Sequence, residues 1–302
     1  MLPVPHVDAP GGLSHVWQCR KCGLRRLHPR PGPNVIGGYY AKAGGDNYNA
    51  YVGRQRSPRQ QVVWDFLRDG FARPAGRSLI GRALGPIVAM FARWQFDINV
   101  PVNGRTGLRV LEVGSGYGDL LIYLKSRGCE VLGTDLSPAA VASGARHGVE
   151  IRLGNLVDLQ LPGGSFDVAV MCHSLEHVPD PNVELAELAR LLRPGGRLHL
   201  AVPNGNAVRL PLEGTRWCHL SHPLHFWFYD AKSLAALLER HGFGLAEPMV
   251  TTSRHHILNG WLHYLRRESP MKATRDFLRI LRESWRVPDG GDVLRAVAVR
   301  RQ

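Results

Sequence analysis

The chain has 302 residues, of which 44% are hydrophobic and 21% charged, a composition typical of a globular protein with one large domain or a domain with an appendage. No apolar run approaches the roughly 20 residues that span a bilayer, and no secretion signal is visible, so we expect a soluble protein with no membrane partner. The 5 cysteines, an odd and sparse set, favour a reducing cytoplasm over a disulfide framework.

The net charge of +13 raises the alternative of an RNA-directed enzyme or an RNA-binding protein. Of the 38 basic residues 33 are Arg, spread along the chain without a dense basic block. A GC-rich genome would produce the same preference for Arg without selection for a polyanion. The distribution therefore argues against nucleic acid and favours a small molecule as the partner.

Residues 1–100 are interpreted as an N-terminal leader. The Pro- and Gly-rich beginning predicts loops and short elements, and it contains Cys19 and Cys22 in a Cys-x-x-Cys-Gly turn, which is half of a zinc knuckle. On spacing, His15 and His28 could complete a tetrahedral set. We favour a degenerate knuckle that binds no metal and is held by packing.

The rest of the leader combines a Gly-rich loop with two helices. The pair Tyr39-Tyr40 suits a lid over a ligand, although surface packing explains it equally well. Apolar residues at helical spacing predict helices over 57–71 and 77–96. Proline, asparagine and glycine interrupt the pattern at 99–106, so we place the start of the main domain near residue 101.

From residue 101 to residue 302 strand-like and helical segments alternate. This rhythm predicts an α/β fold, a Rossmann-like, doubly wound, mostly parallel seven-stranded sheet with helices on both faces. The predicted strands are 109–113, 130–134, 150–153, 166–171, 196–202, 245–251 and 293–299, and the predicted helices are 117–127, 138–147, 181–192 and 230–241. Two insertions, residues 205–229 and a helical pair at 255–286, are expected over the active site.

The domain is organised around Gly114, Gly116 and Gly118, which stand at alternate positions between the first strand and the first helix. Such a turn brings bare backbone, with free N–H groups, up to a ligand. Glu112 precedes these glycines and would repel a pyrophosphate, so it suits a ligand that carries positive charge beside its ribose. The spacing also departs from the G-x-G-x-x-G of NAD and FAD sites.

Polar residues follow the next strands, at the edge where doubly wound sheets bind ligands. Asp135 comes 19 residues after Gly116 and can accept hydrogen bonds from both hydroxyls of a ribose. Asn155 and Leu156 follow the third strand and suit the edge and face of a purine. The fourth strand is followed by the histidine-containing run 172–181.

Five motifs occur in order: E-x-G-x-G-x-G at 112–118, T-D-L-S at 134–137, L-P-G-G-S-F-D-V at 161–168, L-E-H-V-P-D-P at 175–181 and L-R-P-G-G-R at 192–197. Together they resemble a class I S-adenosylmethionine-dependent methyltransferase, of the branch that includes ubiquinone-pathway and natural-product enzymes. The resemblance covers residues 105–245. The leader is similar to that of a subgroup with a small knuckle-like N-terminal segment.

The resemblance implies S-adenosylmethionine as the cofactor and places it residue by residue. The glycine loop would pass under the methionine part, Asp135 would hold the ribose and Leu136 would pack on the adenine. Asn155 would contact the adenine amino group and Leu156 would offer its N–H to the ring. His173 and Ser174 would lie beside the sulfonium. The full predicted cofactor set is Glu112, Gly114, Gly116, Gly118, Asp135, Leu136, Asn155, Leu156, His173 and Ser174.

Methyl transfer from a sulfonium needs positioning, desolvation and, if the nucleophile carries a proton, a base. Histidines are the candidates, namely His173 and His177 after the fourth strand and His219 and His222 in the insertion that covers the acceptor pocket of related enzymes. An alternative for His177, together with Glu176, is to brace the loop.

The insertion also carries three imidazoles at three-residue spacing, on His219, His222 and His225. Nothing nearby except Cys218 would complete a metal site, so we predict no metal there. The absence of an Asn/Asp-Pro-Pro-Tyr motif after the fourth strand disfavours methylation of an exocyclic base nitrogen.

We therefore expect a cytoplasmic methyltransferase that acts on a small-molecule acceptor. O-methylation of a secondary metabolite, sugar or quinone-like compound is the first expectation, with N- or C-methylation open. A non-catalytic partner subunit that binds the cofactor is a further alternative. The insertion at 255–286 could wall the acceptor site or form a homodimer contact.

Overall fold

The computed structural model describes residues 7–9, 12–30, 32, 106–214, 217, 219–220, 224–252, 269–287 and 289–302. Several sequence-based expectations lie outside the described residues: the Tyr39-Tyr40 lid, the helices at 57–71 and 77–96, Cys218, His222 and the first half of the insertion at 255–286.

The described part of the chain forms strands and helices in regular alternation after residue 108. The strands are β1 (Val7–Ala9), β2 (Gly12–Gln18), β3 (Arg25–His28), β4 (Arg109–Val113), β5 (Glu130–Asp135), β6 (Glu150–Leu153), β7 (Phe166–Cys172), β8 (Leu192–Pro203), β9 (Trp227–Phe228), β10 (Phe243–Leu245), β11 (Val250–Thr252) and β12 (Val293–Arg300). The helices are α1 (Asp119–Ser126), α2 (Pro138–Arg146), α3 (Pro181–Leu191), α4 (Arg209–Glu213), α5 (Ala231–Arg240) and α6 (Pro270–Arg286), and short 3-10 turns cover Val157–Leu159 and Leu175–His177.

The main sheet has the strand order β10-β12-β8-β7-β4-β5-β6, with β11 beside β12. Strands β4 to β8 are parallel, whereas β12 runs antiparallel to β8, β10 and β11. This arrangement confirms the predicted doubly wound, mostly parallel α/β fold. The chain starts in the middle at β4, proceeds outward through β5 and β6, and returns to place β7 on the other side of β4. The order of the strands therefore reverses between β4 and β7, where such folds bind their ligands.

The predicted strand at 245–251 is divided into β10 and β11. Leu245 pairs with Ala298 and Val250 pairs with Arg295, so five residue steps on one side oppose three on β12. Pro248 lies in the interruption and has no N–H to donate to a ladder. The chain therefore bulges between the two pairings and then returns to β12.

The central strand β7 is buried on both faces, as its apolar run predicts. Val168 and Val170 belong to one hydrophobic cluster, whereas Ala169 and Met171 belong to the cluster on the other face of the sheet. Alternate side chains thus anchor helices on opposite sides. Among the described residues, no helix combines the length and apolarity needed to cross a bilayer.

The described part of the leader forms strands where loops and short elements were expected. Strands β1, β2 and β3 form a meander whose last strand pairs with β9, so this small sheet reaches the insertion after β8. Cys19 and Cys22 lie exposed in the turn between β2 and β3. His15 and His28 pair across the strands at the far end of this hairpin, three register steps from the last pair before the turn. The backbone therefore places residues 15 and 28 at the opposite end of the hairpin from the cysteine turn.

Glu184 lies on the buried face of α3, beside Leu185 and Leu188. Burial, followed by repulsion from Glu187, raises the pKa of the Glu184 carboxyl from 4.5 to about 7. Because the folded protein holds this proton more tightly than the unfolded chain, the stability linked to Glu184 is fully present below about pH 4.5. It is lost as the pH rises through about 7.

We expect Glu184→Gln to remove this pH dependence. Near pH 4 the variant and the wild type should have similar free energies of unfolding. Near pH 8 the variant should be more stable by up to about 3 kcal/mol, since one pKa unit corresponds to about 1.4 kcal/mol. Urea denaturation at both pH values measures the difference, with Glu239→Gln on the surface of α5 as a control. A difference that does not change with pH would contradict the prediction.

Candidate active site

The loop after β4 approaches closely the loop that follows the neighbouring strand β7. Its glycines have φ angles of 72° at Gly114, 52° at Gly116 and 84° at Gly118, which other residues rarely adopt. A Cβ added at Gly114 would lie 2.7 Å from the Cβ of Ser174, which follows β7. Gly114 is therefore required both for the turn and for the close approach of the two loops.

The amides of this loop bond to the protein, which corrects the expectation of free N–H groups. Those of Gly114 and Ser115 donate to the carbonyl of Thr134 at 2.8 and 3.0 Å, and that of Gly118 donates to the carbonyl of Ser115 at 2.9 Å. The amide of Gly116 donates to Oδ2 of Asp135 at 2.8 Å. The end of β5 therefore fixes the loop, which presents a rigid edge of backbone.

Gly133 supports the same loop, although sequence reasoning did not single it out. A Cβ at this position would lie 2.6 Å from Cδ1 of Leu121 and 2.7 Å from Oγ of Ser115. Glu112, the predicted partner of a cationic ligand, is buried on β4 and pairs in register with Gly133. The strand that carries the carboxylate thus runs beside the strand whose glycine makes room for the loop.

Asp135 ends β5 as a buried carboxylate in a fixed orientation. Besides accepting from Gly116, it accepts through Oδ1 from the amide of Ser137 at 2.9 Å. Each carboxylate oxygen can accept more than one hydrogen bond, so both remain chemically suited to the two hydroxyls of a ribose. Leu136 follows and is 44% exposed, and its contact with an adenine stays a prediction.

The end of β6 presents a second half of the predicted adenine site. Asn155 is exposed, and its amide nitrogen donates to Oδ2 of Asp158 at 3.0 Å. The side chain of Leu156 is buried in the core, in keeping with a predicted contact through its N–H. Leu153 and Val157 are 53% and 41% exposed, and sequence reasoning missed them. These apolar residues stand on both sides of Asn155 in the sequence.

His173 stands at the end of β7, at the point where the strand order reverses. Its φ of 52° is unusual for a residue with a side chain, and such conformations are concentrated at functional sites. Its Nδ1 lies 3.2 Å from Oε1 of Glu176, and its ring stacks on that of His219 with centroids 5.5 Å apart. The structure thus joins His173 and His219, two predicted catalytic residues from different loops.

Glu176 is fully buried beneath His173. Burial by itself would raise its pKa, but the hydrogen bond from His173 and the nearby imidazoles outweigh this effect and lower the pKa to about 2. The carboxylate is therefore ionised and can orient His173 and stabilise its imidazolium. Nδ1 of the next residue, His177, bonds to the carbonyl of Leu224 at 3.0 Å. This contact supports the bracing role considered for His177.

A buried charged network holds the insertion that carries His219. The guanidinium of Arg209 donates to both oxygens of Glu213 at 2.7 and 3.0 Å and to Oδ2 of Asp292 at 2.9 Å. Nε1 of Trp217 donates to Oδ1 of Asp292 at 2.8 Å, and the Trp217 ring contacts His219 with centroids 5.4 Å apart. The network fixes α4 and the following segment against the loop that precedes β12.

Comparison with known proteins gives a family and several relatives. Residues 87–247 match a family model described as a methyltransferase domain. A ubiquinone biosynthesis O-methyltransferase of Xanthomonas oryzae pv. oryzae is 34% identical over 148 residues, which is 47% of this chain and 56% of that protein. The chain thus spans little more than half the length of this relative.

Solved structures match a larger share of the chain at lower identity. A chain of the complex between the Haloferax volcanii Trm112 methyltransferase activator and a methyltransferase is 19% identical, has a TM-score of 0.50, and aligns over 82% of this chain and 100% of its own length. An S-adenosylmethionine-dependent methyltransferase from Mesorhizobium loti is 20% identical over 74% of this chain and 100% of its own, with a TM-score of 0.49. At this identity the Haloferax match supports the fold.

Replacing Gly114 by alanine tests the contact between the two loops. Gly148 is the matched control, since its φ is 69° and a Cβ there would meet nothing within 4 Å. Both variants should lose about 1 kcal/mol of stability for the left-handed backbone. Gly114→Ala should lose about 1 to 3 kcal/mol more, because it must displace Ser174. Equal free energies of unfolding for the two variants, measured by denaturant titration, would show that the close approach is unimportant.

Proposed function

The chain belongs to the methyltransferase domain family, and we propose that, with S-adenosylmethionine as methyl donor, it methylates a hydroxyl oxygen of a small-molecule acceptor. The observation that carries the proposal is the meeting of two loops where the strand order reverses. One loop is fixed by Asp135 for a nucleoside, and the other presents His173 on a buried carboxylate. A quinone-like or phenolic acceptor, sugar or related metabolite is the proposed substrate class, in line with the name of the Xanthomonas relative.

The cofactor site is assembled from the ends of β4, β5 and β6. The backbone at Gly114–Gly118 would lie along the methionine part, and Glu112 would compensate positive charge on the amino acid. Asp135 would accept the ribose hydroxyls, while the exposed side chains of Leu136, Leu153 and Val157 would cover the adenine ring. When bound, the sulfonium supplies an activated methyl group and a neutral thioether as leaving group.

The chain's own contribution to the reaction is orientation and acceptance of a proton. When the acceptor oxygen takes up the methyl group, its hydroxyl proton would move to Nε2 of His173. Glu176 remains ionised beside Nδ1 and stabilises the imidazolium that results. His219 stacks on His173 and limits its rotation.

Hydrogen bonds between segments hold the proposed acceptor side in place. Trp227 donates to the carbonyl of Val178 at 2.8 Å, and the amide of Phe226 donates to the carbonyl of Glu176 at 2.8 Å. Arg25 of β3 bonds to Gly205 and Asn206.

We further propose a cytoplasmic location, in accord with Cys19, Cys22 and Cys129, which are not in disulfides.

Binding of S-adenosylhomocysteine, measured by calorimetry, tests the cofactor site. The wild type should bind, and Asp135→Ala should bind at least about tenfold more weakly, because a hydrogen bond to a charged group contributes about 1.5 to 3 kcal/mol. Glu130→Ala, exposed at the opposite end of the same strand, should bind like the wild type. Failure of the wild type to bind would overturn the proposed function.

Methyl transfer to a panel of phenols, quinols and sugars tests the base. With an acceptor that the wild type methylates, His173→Ala should lower kcat by about 100-fold or more, the usual contribution of general base catalysis. Its affinity for S-adenosylhomocysteine should change much less. Transfer should recover as the pH approaches the pKa of the acceptor hydroxyl, since ionised acceptor needs no base. His241→Ala, at the end of α5, is the control, and near-full turnover by His173→Ala at neutral pH would exclude His173 as the base.

A further inference from the structure

A second cluster lies directly behind the proposed base. Glu176 and His177 come from the 3-10 turn after β7, and His225 comes from the segment that leads into β9. One potential ligand atom of each side chain lies within 4.8 Å of those of the other two. The two imidazoles meet edge to face, with ring centroids 4.6 Å apart. The proposed methyl transfer uses only the Oε1 side of Glu176 and neither of these histidines.

Both imidazoles are oriented as metal-binding histidines are. Nδ1 of His177 bonds to the carbonyl of Leu224 at 3.0 Å, and Nδ1 of His225 bonds to the carbonyl of His219 at 2.7 Å. A carbonyl only accepts, so each Nδ1 carries the proton and each Nε2 has its lone pair available. Fixing a histidine through a main-chain carbonyl on its other nitrogen is the common second interaction of ligating histidines.

The charge of the cluster favours a cation. Glu176 is fully buried, and its Oε2 has no hydrogen-bond partner among the described residues. Each of the two imidazoles brings one nitrogen within 4.8 Å of a carboxylate oxygen of Glu176. A buried carboxylate oxygen without a hydrogen-bond partner, beside two imidazoles, suits a cation, because buried charges in proteins are paired or bind metal ions.

We propose that Glu176, His177 and His225 bind a divalent transition-metal cation, with Zn²⁺ as the representative ion. Two imidazoles and a carboxylate form the donor set of three-ligand zinc sites that keep a fourth position open. Ligand atoms of a tetrahedral zinc at about 2.1 Å lie about 3.4 Å apart. The present separations, none above 4.8 Å, would have to shorten by at most about 1.4 Å to complete the site. The sequence-based expectation of no metal considered only donors within the insertion, and the carboxylate comes from the turn after β7.

A cation at this site would affect both the structure and the chemistry of the surrounding residues. It would link the turn at 175–177 to the segment at 224–228, which are already joined by the bond from Phe226 to the carbonyl of Glu176. It would also share Glu176 with His173, since one carboxylate oxygen lies on Nδ1 of His173 and the other is directed elsewhere. Metal occupancy would thereby hold the proposed base and the acceptor wall in one arrangement.

The test measures Zn²⁺ binding to the full chain, purified without a polyhistidine tag and stripped with a chelator. Competition with a chromophoric chelator should show one tightly bound equivalent in the wild type. His225→Gln and His177→Gln should each weaken this binding by about 100-fold or more, and Glu176→Gln should do so while preserving side-chain shape. His147→Gln, a histidine at the end of α2, is the matched control and should bind like the wild type.

A further variant separates this site from the cysteine turn, because Cys19 and Cys22 could themselves bind zinc. The double variant Cys19→Ser/Cys22→Ser should retain the equivalent. X-ray absorption on the zinc-loaded wild type gives an answer that needs no variant, with nitrogen and oxygen ligands near 2.0 to 2.1 Å expected and no sulfur near 2.3 Å. Absence of a stoichiometric ion in the wild type, sulfur ligation, or unchanged binding in His225→Gln would each overturn the proposal. None of these readouts depends on methyl transfer, so the cation site and the proposed function can fail separately.

Discussion

The contact between Gly114 and Ser174 is the constraint on which the rest of the site depends. Parallel strands β4 and β7 are neighbours in the sheet, although β5 and β6 lie between them in the sequence. The loops that follow the two strands are therefore distant in sequence but meet at the same edge of the sheet. A side chain at Gly114 would hold these loops apart. With the contact in place, the proposed cofactor surface on one side and His173 on the other share a border.

Hydrogen bonds from the end of β5 make this border rigid. The carbonyl of Thr134 and the carboxylate of Asp135 together accept the amides of Gly114, Ser115 and Gly116. Asp135 therefore has a structural role in addition to its proposed contact with ribose, and the same carboxylate serves both roles. The glycine loop is then better understood as backbone held in place for close approach than as a set of open amides waiting for an anion.

Buried charges also hold together the proposed acceptor side. Arg209 joins Glu213 to Asp292 and so fixes the insertion after β8 against the loop before β12. Glu176 has a similar position under His173, where it meets imidazoles from two different segments. In each case one buried ion connects elements distant in sequence, and removal of one partner would leave the others without compensation in a medium of low polarity. The proposed base and the proposed cation site depend on the same carboxylate.

Much of this protein could be predicted from its sequence, because local spacing encodes it: the alternation of strands and helices, the two-sided burial of β7, the glycine turn and the residues at the strand ends. The interruption of the predicted strand at 245–251 also has a signal in the sequence, because Pro248 there cannot donate a backbone hydrogen bond. Tertiary structure decided what touches what. Sequence reasoning grouped His225 with its neighbours in the insertion, whereas the fold pairs it with His177 and Glu176, since Leu224 and His177 meet although they are 47 residues apart. Likewise, the spacing of His15, Cys19, Cys22 and His28 allowed a four-ligand knuckle, but the hairpin places the pair of residues 15 and 28 three register steps from the last pair before the cysteine turn. Spacing along the chain fixes neighbours within an element, and only packing between elements determines which side chains share a site.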